Sequence, residues 1–294
     1  MKLPFAPRLT LLALAGCLLF ACSPNPYATT NKSYKKQVKA YARTLRSIPA
    51  NAPSADSLQT GDYWVGTTNF NMRKANYVVI HHTAQNSTTQ TLKTFTTPQT
   101  QVSAHYVIGR DGKVYHMLND YLRAWHGGVS KWGSNTDLNS SSIGIELDNN
   151  GTETFPEAQI TSLLQVLAIL KEKHNIPAAN FIAHSDIAPL RKSDPSTLFP
   201  WKQLADNGFG LWYDELPPDT VVVLDSTGLA LDSVVKYAVP ENFDPEAALR
   251  IIGYDTRDMA AAIRAFKLHF VQREVNAILT EEDKRILYNL YKKY

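Results

Sequence analysis

Asn76-Tyr77-Val78-Val79-Ile80-His81-His82-Thr83-Ala84 is the stretch on which the fold turns. An unbroken apolar run from Tyr77 to Ile80 leads straight into two adjacent histidines. Such a run reads as a strand buried on both faces, at the centre of a sheet rather than its edge. Histidines ending a buried strand sit where a central sheet opens into a cleft. Either His81 or His82 is therefore a candidate for chemistry.

Working outward, Ser141 to Asp148 alternates Ile143, Ile145 and Leu147 with Ser142, Gly144 and Glu146, the pattern of a second strand. Glu146 then lies on the face opposite the large apolar residues. A carboxylate within a core strand is costly unless it is paired or functional. Val102 to His116 has two β-rich runs around Arg110-Asp111-Gly112, which reads as a hairpin. In Arg123-Ala124-Trp125-His126-Gly127-Gly128, an aromatic and an imidazole precede paired glycines, as in a presenting loop. The apolar stripe Ile160, Leu163, Leu164, Leu167 and Leu170 predicts a helix from Pro156 to His174, stopped by Asn175 and Pro177. Asn180 to Ala183 is a short strand that delivers His184, and a closing helix begins with Leu198-Phe199-Pro200-Trp201 and runs to about Asp206.

The segment Ala183 to Pro195 holds His184, Asp186, Lys192 and Asp194 in a stretch too polar and Pro-rich for a helix or core strand. A loop of that length can fold back and aim an imidazole and a carboxylate at one point. Together with a histidine from the first strand, His184 and Asp194 suit zinc, with a fourth position open for water. Glu146 can take a proton from that water and Lys192 can steady an oxyanion. The chemistry implied is metal-assisted hydrolysis of an amide or ester.

The totals frame this. The chain has 294 residues, and a formal charge of +3 is too small to argue for nucleic acid. Lys2 and Arg8 precede a short apolar run that ends at Cys22, the form of a signal peptide rather than a spanning helix. The only cysteines are Cys17 and Cys22, both within this run. A small residue before Cys resembles a bacterial lipoprotein signal. Cys22 is the favoured lipidation site, because cleavage at Cys17 would leave Leu18, Leu19 and Phe20 exposed behind the anchor. Residues 23–62 read as a tether containing a basic helix over Lys32 to Arg46, and 216–242 as a linker around the Val221 run. Residues 243–294 read as a small domain of three helices. Asp244-Pro245 opens one helix that Gly253 ends, and Thr280 with Asp283 forms a capping box for another.

Val79-Ile80-His81-His82-Thr83-Ala84, Val102 to Tyr106, Arg123 to Gly127, Asn139 to Leu147, and Ala183 to Pro195 with Phe199-Pro200-Trp201 share one likeness. In this order they resemble the zinc N-acetylmuramoyl-L-alanine amidases of the type 2 class, relatives of phage T7 lysozyme and the peptidoglycan recognition proteins. The likeness covers about residues 63–215, and is nearest to the outer-membrane lipoprotein amidases of Gram-negative bacteria. It implies an α/β fold, a mixed central sheet flanked by helices, followed by a C-terminal helical domain similar to peptidoglycan-binding modules. Position by position it implies His81, His184 and Asp194 as zinc ligands, Glu146 as catalytic base and Lys192 as transition-state lysine. Asn139, Arg123 and His126 match positions that contact the muropeptide. His82 and His105 are expected to be structural, and Asp186 to orient a ligand histidine.

The implied reaction cuts the amide between N-acetylmuramic acid and L-alanine in peptidoglycan or its fragments. The implied setting is a monomer, lipid-anchored at Cys22 in the outer membrane and facing the periplasm. The rivals are a non-catalytic peptidoglycan receptor on the same fold and a lipoprotein that only anchors the wall. Receptors of this kind typically lack a zinc ligand, whereas all three positions are filled here.

Overall fold

The computed structural model describes residues 25–46, 65–214, 221–224, 227, 230–234 and 239–294. The signal segment 1–22, with Cys17 and Cys22, lies outside the described residues. The chain divides into two compact units, Met1–Phe70 and Asn71–Tyr294.

In the first unit, α1 spans Ala28–Arg46 and starts earlier than the basic run alone suggests. Its six basic residues, Lys32, Lys35, Lys36, Lys39, Arg43 and Arg46, meet no acidic residue in the helix, and none of its residues is buried. No helix among the described residues is long and apolar enough to cross a membrane.

The second unit is built on a five-stranded mixed sheet, and its elements include the short helices α2 (Thr88–Thr96), α3 (Leu138–Ser141) and α6 (Trp201–Asp206). The strands of the sheet are β1 (Tyr77–His82), β2 (Tyr106–Ile108), β3 (Val114–His116), β4 (Ser142–Leu147) and β5 (Phe181–Ala183). They lie in the order β3-β2-β4-β1-β5. β1 is parallel to both β4 and β5, and β2 is parallel to β4. Within this sheet only the β2–β3 hairpin is antiparallel, turning through Gly109 to Gly112 as the Asp-Gly signal predicts.

Alternation sends the side chains of β1 both ways. Val78 and Ile80 join Ile143, Ile145 and Leu147 under α4 (Glu157–His174), whose Leu163, Leu167 and Leu170 complete that core. Asn175 ends α4 in the left-handed conformation, with φ 52°. Val79 points to the other face, where it packs with residues of the C-terminal helices.

Those helices are α7 (Pro245–Ile252), α8 (Met259–Phe266), which runs on as a π turn over Lys267–Val271, and α9 (Glu281–Tyr291). Their ends match the expected signals, with Asp244 and Gly253 bounding α7 and the Thr280–Asp283 capping box opening α9. Their packing differs from the expectation of a separate domain. Leu249, Ile252, Phe266 and Phe270 share one apolar cluster with Val79, Ile182, Ile187 and Leu138 of the sheet region. A three-helix segment this small buries too little apolar surface alone, and the open face of the sheet completes it. In the expected linker, Val221–Leu224 (β6) pairs antiparallel with Ala230–Val234 (β7).

Candidate metal centre and active site

Parallel register assembles the site. Across β1 and β4, His81 stands opposite Glu146. Across β1 and β5, Ile80 stands opposite Ala183, so the next residue, His184, arrives beside His81. Three neighbouring strands thus bring a histidine, a glutamate and a histidine to one place, at or one residue past their C-terminal ends. The chain then makes a single helical turn, α5 (His184–Ile187), where sequence alone suggested irregular loop. It returns with Asp194, whose backbone oxygen accepts from Ser185 N–H at 2.9 Å.

The three donor atoms converge. His81 Nδ1 and His184 Nδ1 are 2.8 Å apart, and Asp194 Oδ2 lies 3.2 Å from the first and 3.0 Å from the second. All three residues are buried. Protonation around His81 can be traced from a fixed end. Ser142 Oγ donates to Leu138 O, so it accepts from His126 Nε2 at 3.2 Å. His126 Nδ1 must then accept from His81 Nε2, 3.0 Å away. That leaves His81 Nδ1 as a bare lone pair facing His184 and Asp194.

Burial, with the charge of His184, lowers the His81 pKa to about 4, against an opposing pull from Asp194. The ring is neutral near pH 7, the form a metal requires. Burial opposes ionisation of Asp194, but contacts from His184 and His81 outweigh it and hold the carboxyl well below its usual range. A carboxylate oxygen and an imidazole lone pair this close repel unless positive charge sits between them. Tetrahedral zinc ligands at about 2.0–2.1 Å lie roughly 3.3 Å apart, close to the spacing seen, so the donor set fits zinc. His184 Nε2 is buried without a hydrogen-bond partner.

Glu146 lines the same cleft, a space of about 420 Å³ walled by Phe95, Trp125 and Lys192 among others. Burial, reinforced by the charge of Asp194 and opposed by Lys192, raises its pKa to about 8. That is the direction a general base working near neutrality needs. Lys192 is exposed at the rim and lines the cleft.

The remaining expected residues fall into two groups. His126 and His82 line the cleft. The His126 ring sits against Gly144, where an added Cβ would meet its Cγ at 2.4 Å. Glycine in β4 is therefore what admits the imidazole behind His81. Arg123 and Asn139, expected at the muropeptide, do not line the cleft. Arg123 is held by Asp137 and Ser140, each at 2.9 Å. Asn139 is buried, and its Oδ1 accepts from the backbone N–H groups of His126 and Gly127 at 3.0 and 2.7 Å. Both brace the loop that carries His126.

His105 is buried, accepting from Gly144 N–H and donating to Leu122 O, each at 3.0 Å. Asp186 touches neither ligand histidine's ring and faces the C-terminal helices instead. Sequence reasoning missed Arg191. Its guanidinium donates to Gly127 O and Val129 O, tying the His126 loop to the segment that bears Lys192. Its place beside Lys192 was the available signal, but its partners lie 62 and 64 residues away.

Residues 71–197 match the Amidase_2 family, N-acetylmuramoyl-L-alanine amidase. Over 246 residues the chain is 32% identical to the N-acetylmuramoyl-L-alanine amidase AmiD of Escherichia coli K12, covering 74% of this chain and 82% of that protein. The chain belongs to the N-acetylmuramoyl-L-alanine amidase family.

Solved structures agree with this placement. The amidase superposes on AMPDH3 of Pseudomonas aeruginosa with a TM-score of 0.64 and 30% identity, covering 81% of this chain and 99% of that one. Against the E. coli AmiD complex with anhydro-N-acetylmuramic acid-L-Ala-D-gamma-Glu-L-Lys, the TM-score is 0.62 at 29% identity, covering 82% and 97%. Both have the mixed sheet with flanking helices found here.

Proposed function

We propose that this amidase hydrolyses the amide between the lactyl group of N-acetylmuramic acid and L-alanine in peptidoglycan fragments, with zinc as its metal. The observation that carries this is the convergence of His81, His184 and Asp194 beside Glu146, which stands in register with His81 on the adjacent strand. A zinc ion on those three ligands would supply Lewis acidity toward the scissile carbonyl and toward water.

Ionised, as the charge of a metal on the neighbouring ligands would favour, Glu146 takes the proton of the attacking water. Burial makes it a stronger base than an exposed carboxylate, and the same proton then passes to the leaving L-alanine nitrogen. Lys192, on the cleft rim, steadies the oxygen on which negative charge develops. Asn139 and Arg191 hold the His126 loop, and His126 holds the His81 tautomer. A receptor that only binds the wall has no use for a carboxylate raised toward neutrality beside a metal-ligand set, which favours the enzyme.

The proposal extends to location. Cys22, lipidated, would anchor the chain to the outer membrane facing the periplasm, and the basic α1 beginning six residues later suits an anionic surface. The catalytic unit is proposed to act as a monomer.

The test is hydrolysis of purified muropeptides by residues 23–294, first metal-free and then with zinc restored, with products identified by mass. Release of stem peptide beginning at L-alanine, only with zinc, is the expected result. Tight binding without cleavage in the zinc-loaded protein would favour the receptor instead.

A further inference from the structure

We propose that Tyr254 and His269, both on the C-terminal helical segment, are positioning residues for the metal site, acting through Asp186 on the turn that presents His184. This rests on the metal-site assignment above, and it gives the C-terminal helices a task inside the catalytic unit.

Asp186 is fully buried, yet its carboxylate has three donors. Ala183 N–H donates to Oδ2 at 2.7 Å, closing the N-terminus of α5. His269 Nδ1 lies 2.7 Å from the same oxygen. Tyr254 OH donates to Oδ1 at 2.8 Å. Two of the three donors thus come from a segment about seventy to eighty residues further along the chain.

A single helical turn has almost no stability of its own, because nucleation fixes several dihedrals for one hydrogen bond. The backbone bond inside α5 is Ala188 N–H to His184 O, at 3.0 Å. The conformation at His184 is therefore set by its neighbours. Ser185 N–H is held by Asp194 O, and Ala183 N–H by Asp186. The orientation of Asp186 is in turn set by Tyr254 and His269.

The two outer residues are themselves locked. The His269 ring is stacked between Trp201 and Phe270, with centroids 3.8 and 4.0 Å away. Tyr254 meets Trp132 edge-on at 5.0 Å and is buried. Burial and the Asp186 charge raise its hydroxyl pKa well above the ordinary value, so it remains a donor. A buried carboxylate deprived of a donor rotates or draws in water. Either response releases Ala183 and lets His184 drift from His81 and Asp194.

The test measures zinc affinity of the 23–294 chain by competition with a chromogenic chelator, well below the melting temperature. Asp186→Asn is expected to raise the zinc Kd about tenfold, the low end of what losing a direct partner of a metal ligand costs, because Asp186 acts through the backbone at Ala183. Tyr254→Phe, which removes one oxygen, and His269→Leu should each raise it about three- to tenfold, one step further from the metal. His269→Asn, which keeps a donor at the Nδ1 position, should recover most of the loss.

If Tyr254→Phe and His269→Leu fold but keep Kd within about twofold of the parent while melting lower, the residues only pack and the proposal is overturned. Should Asp186→Asn fail to fold, Tyr254→Phe still decides the outcome. Muropeptide hydrolysis by the zinc-loaded parent is followed in parallel. Failure there removes the amidase assignment and leaves the affinity comparison intact.

Discussion

Replacing Glu146 by Gln should stabilise the metal-free protein, and the gain should grow with pH. Glu146 is 8% exposed, and its carboxyl titrates near 8 in the fold, raised by burial and by Asp194. In an unfolded chain a glutamate titrates at about 4.3. Between those values the folded state holds a proton that the unfolded state has lost, so stability falls as pH rises. The difference per pH unit is at most about 1.4 kcal/mol, and over the full window it sums to roughly 5 kcal/mol as an upper bound. Water in the open cleft screens the charge, so about 2–3 kcal/mol is the expected plateau. Glutamine keeps the shape without the charge and removes the titration.

The assay is urea unfolding of parent and Glu146→Gln in chelator at a series of pH values from 5 to 9. The stability gap should widen up to about pH 8 and then stay level. Histidines and other carboxylates titrate alike in both proteins and cancel in the difference. Two parallel curves, with a gap independent of pH, would refute the idea that this carboxyl is held protonated by its surroundings.

Glu146→Ala should keep the metal and lose about 10²–10⁴-fold in kcat, read from turnover alongside metal content. Lys192→Ala should lower kcat by about 10²–10³-fold with little change in KM, the mark of an interaction made with developing charge. Gly144→Ala puts a methyl group into the His126 ring. It should cost about 1–3 kcal/mol in urea unfolding and weaken zinc binding, because His126 backs His81. Asp120→Ala should cost about 3 kcal/mol, since it strips a buried acceptor from Tyr106, Lys173 and His174. Burial alone would raise the Asp120 carboxyl, but bonds from His116, Lys173, Tyr106 and His174 outweigh it and hold the pKa far down. Its contribution is therefore present above about pH 4 and lost as pH falls further, which acid unfolding of the parent should show and the variant should lack.

Local pattern determined much of this protein. The apolar run Tyr77–Ile80, the alternation through Glu146, the stripe of α4 and the caps at Asp244, Gly253 and Thr280 are short-range signals. Each element forms where its own residues favour it. Glu146 stood out because a charge on a core strand is expensive, and that expense is visible in one dimension. What only tertiary structure decided are relations between distant segments. Parallel register set His81 against Glu146 and brought His184 alongside, and no spacing in the chain encodes that register. Packing took Arg123 and Asn139 away from the cleft and made them braces, since the acceptors and donors they meet belong to another loop. Asp186 turned away from the ligand rings toward Tyr254 and His269, because a buried carboxylate goes where the donors are. The C-terminal helices joined the sheet's core for the same kind of reason. Their apolar faces needed more surface than three short helices provide, and the second face of β1 was open to receive them.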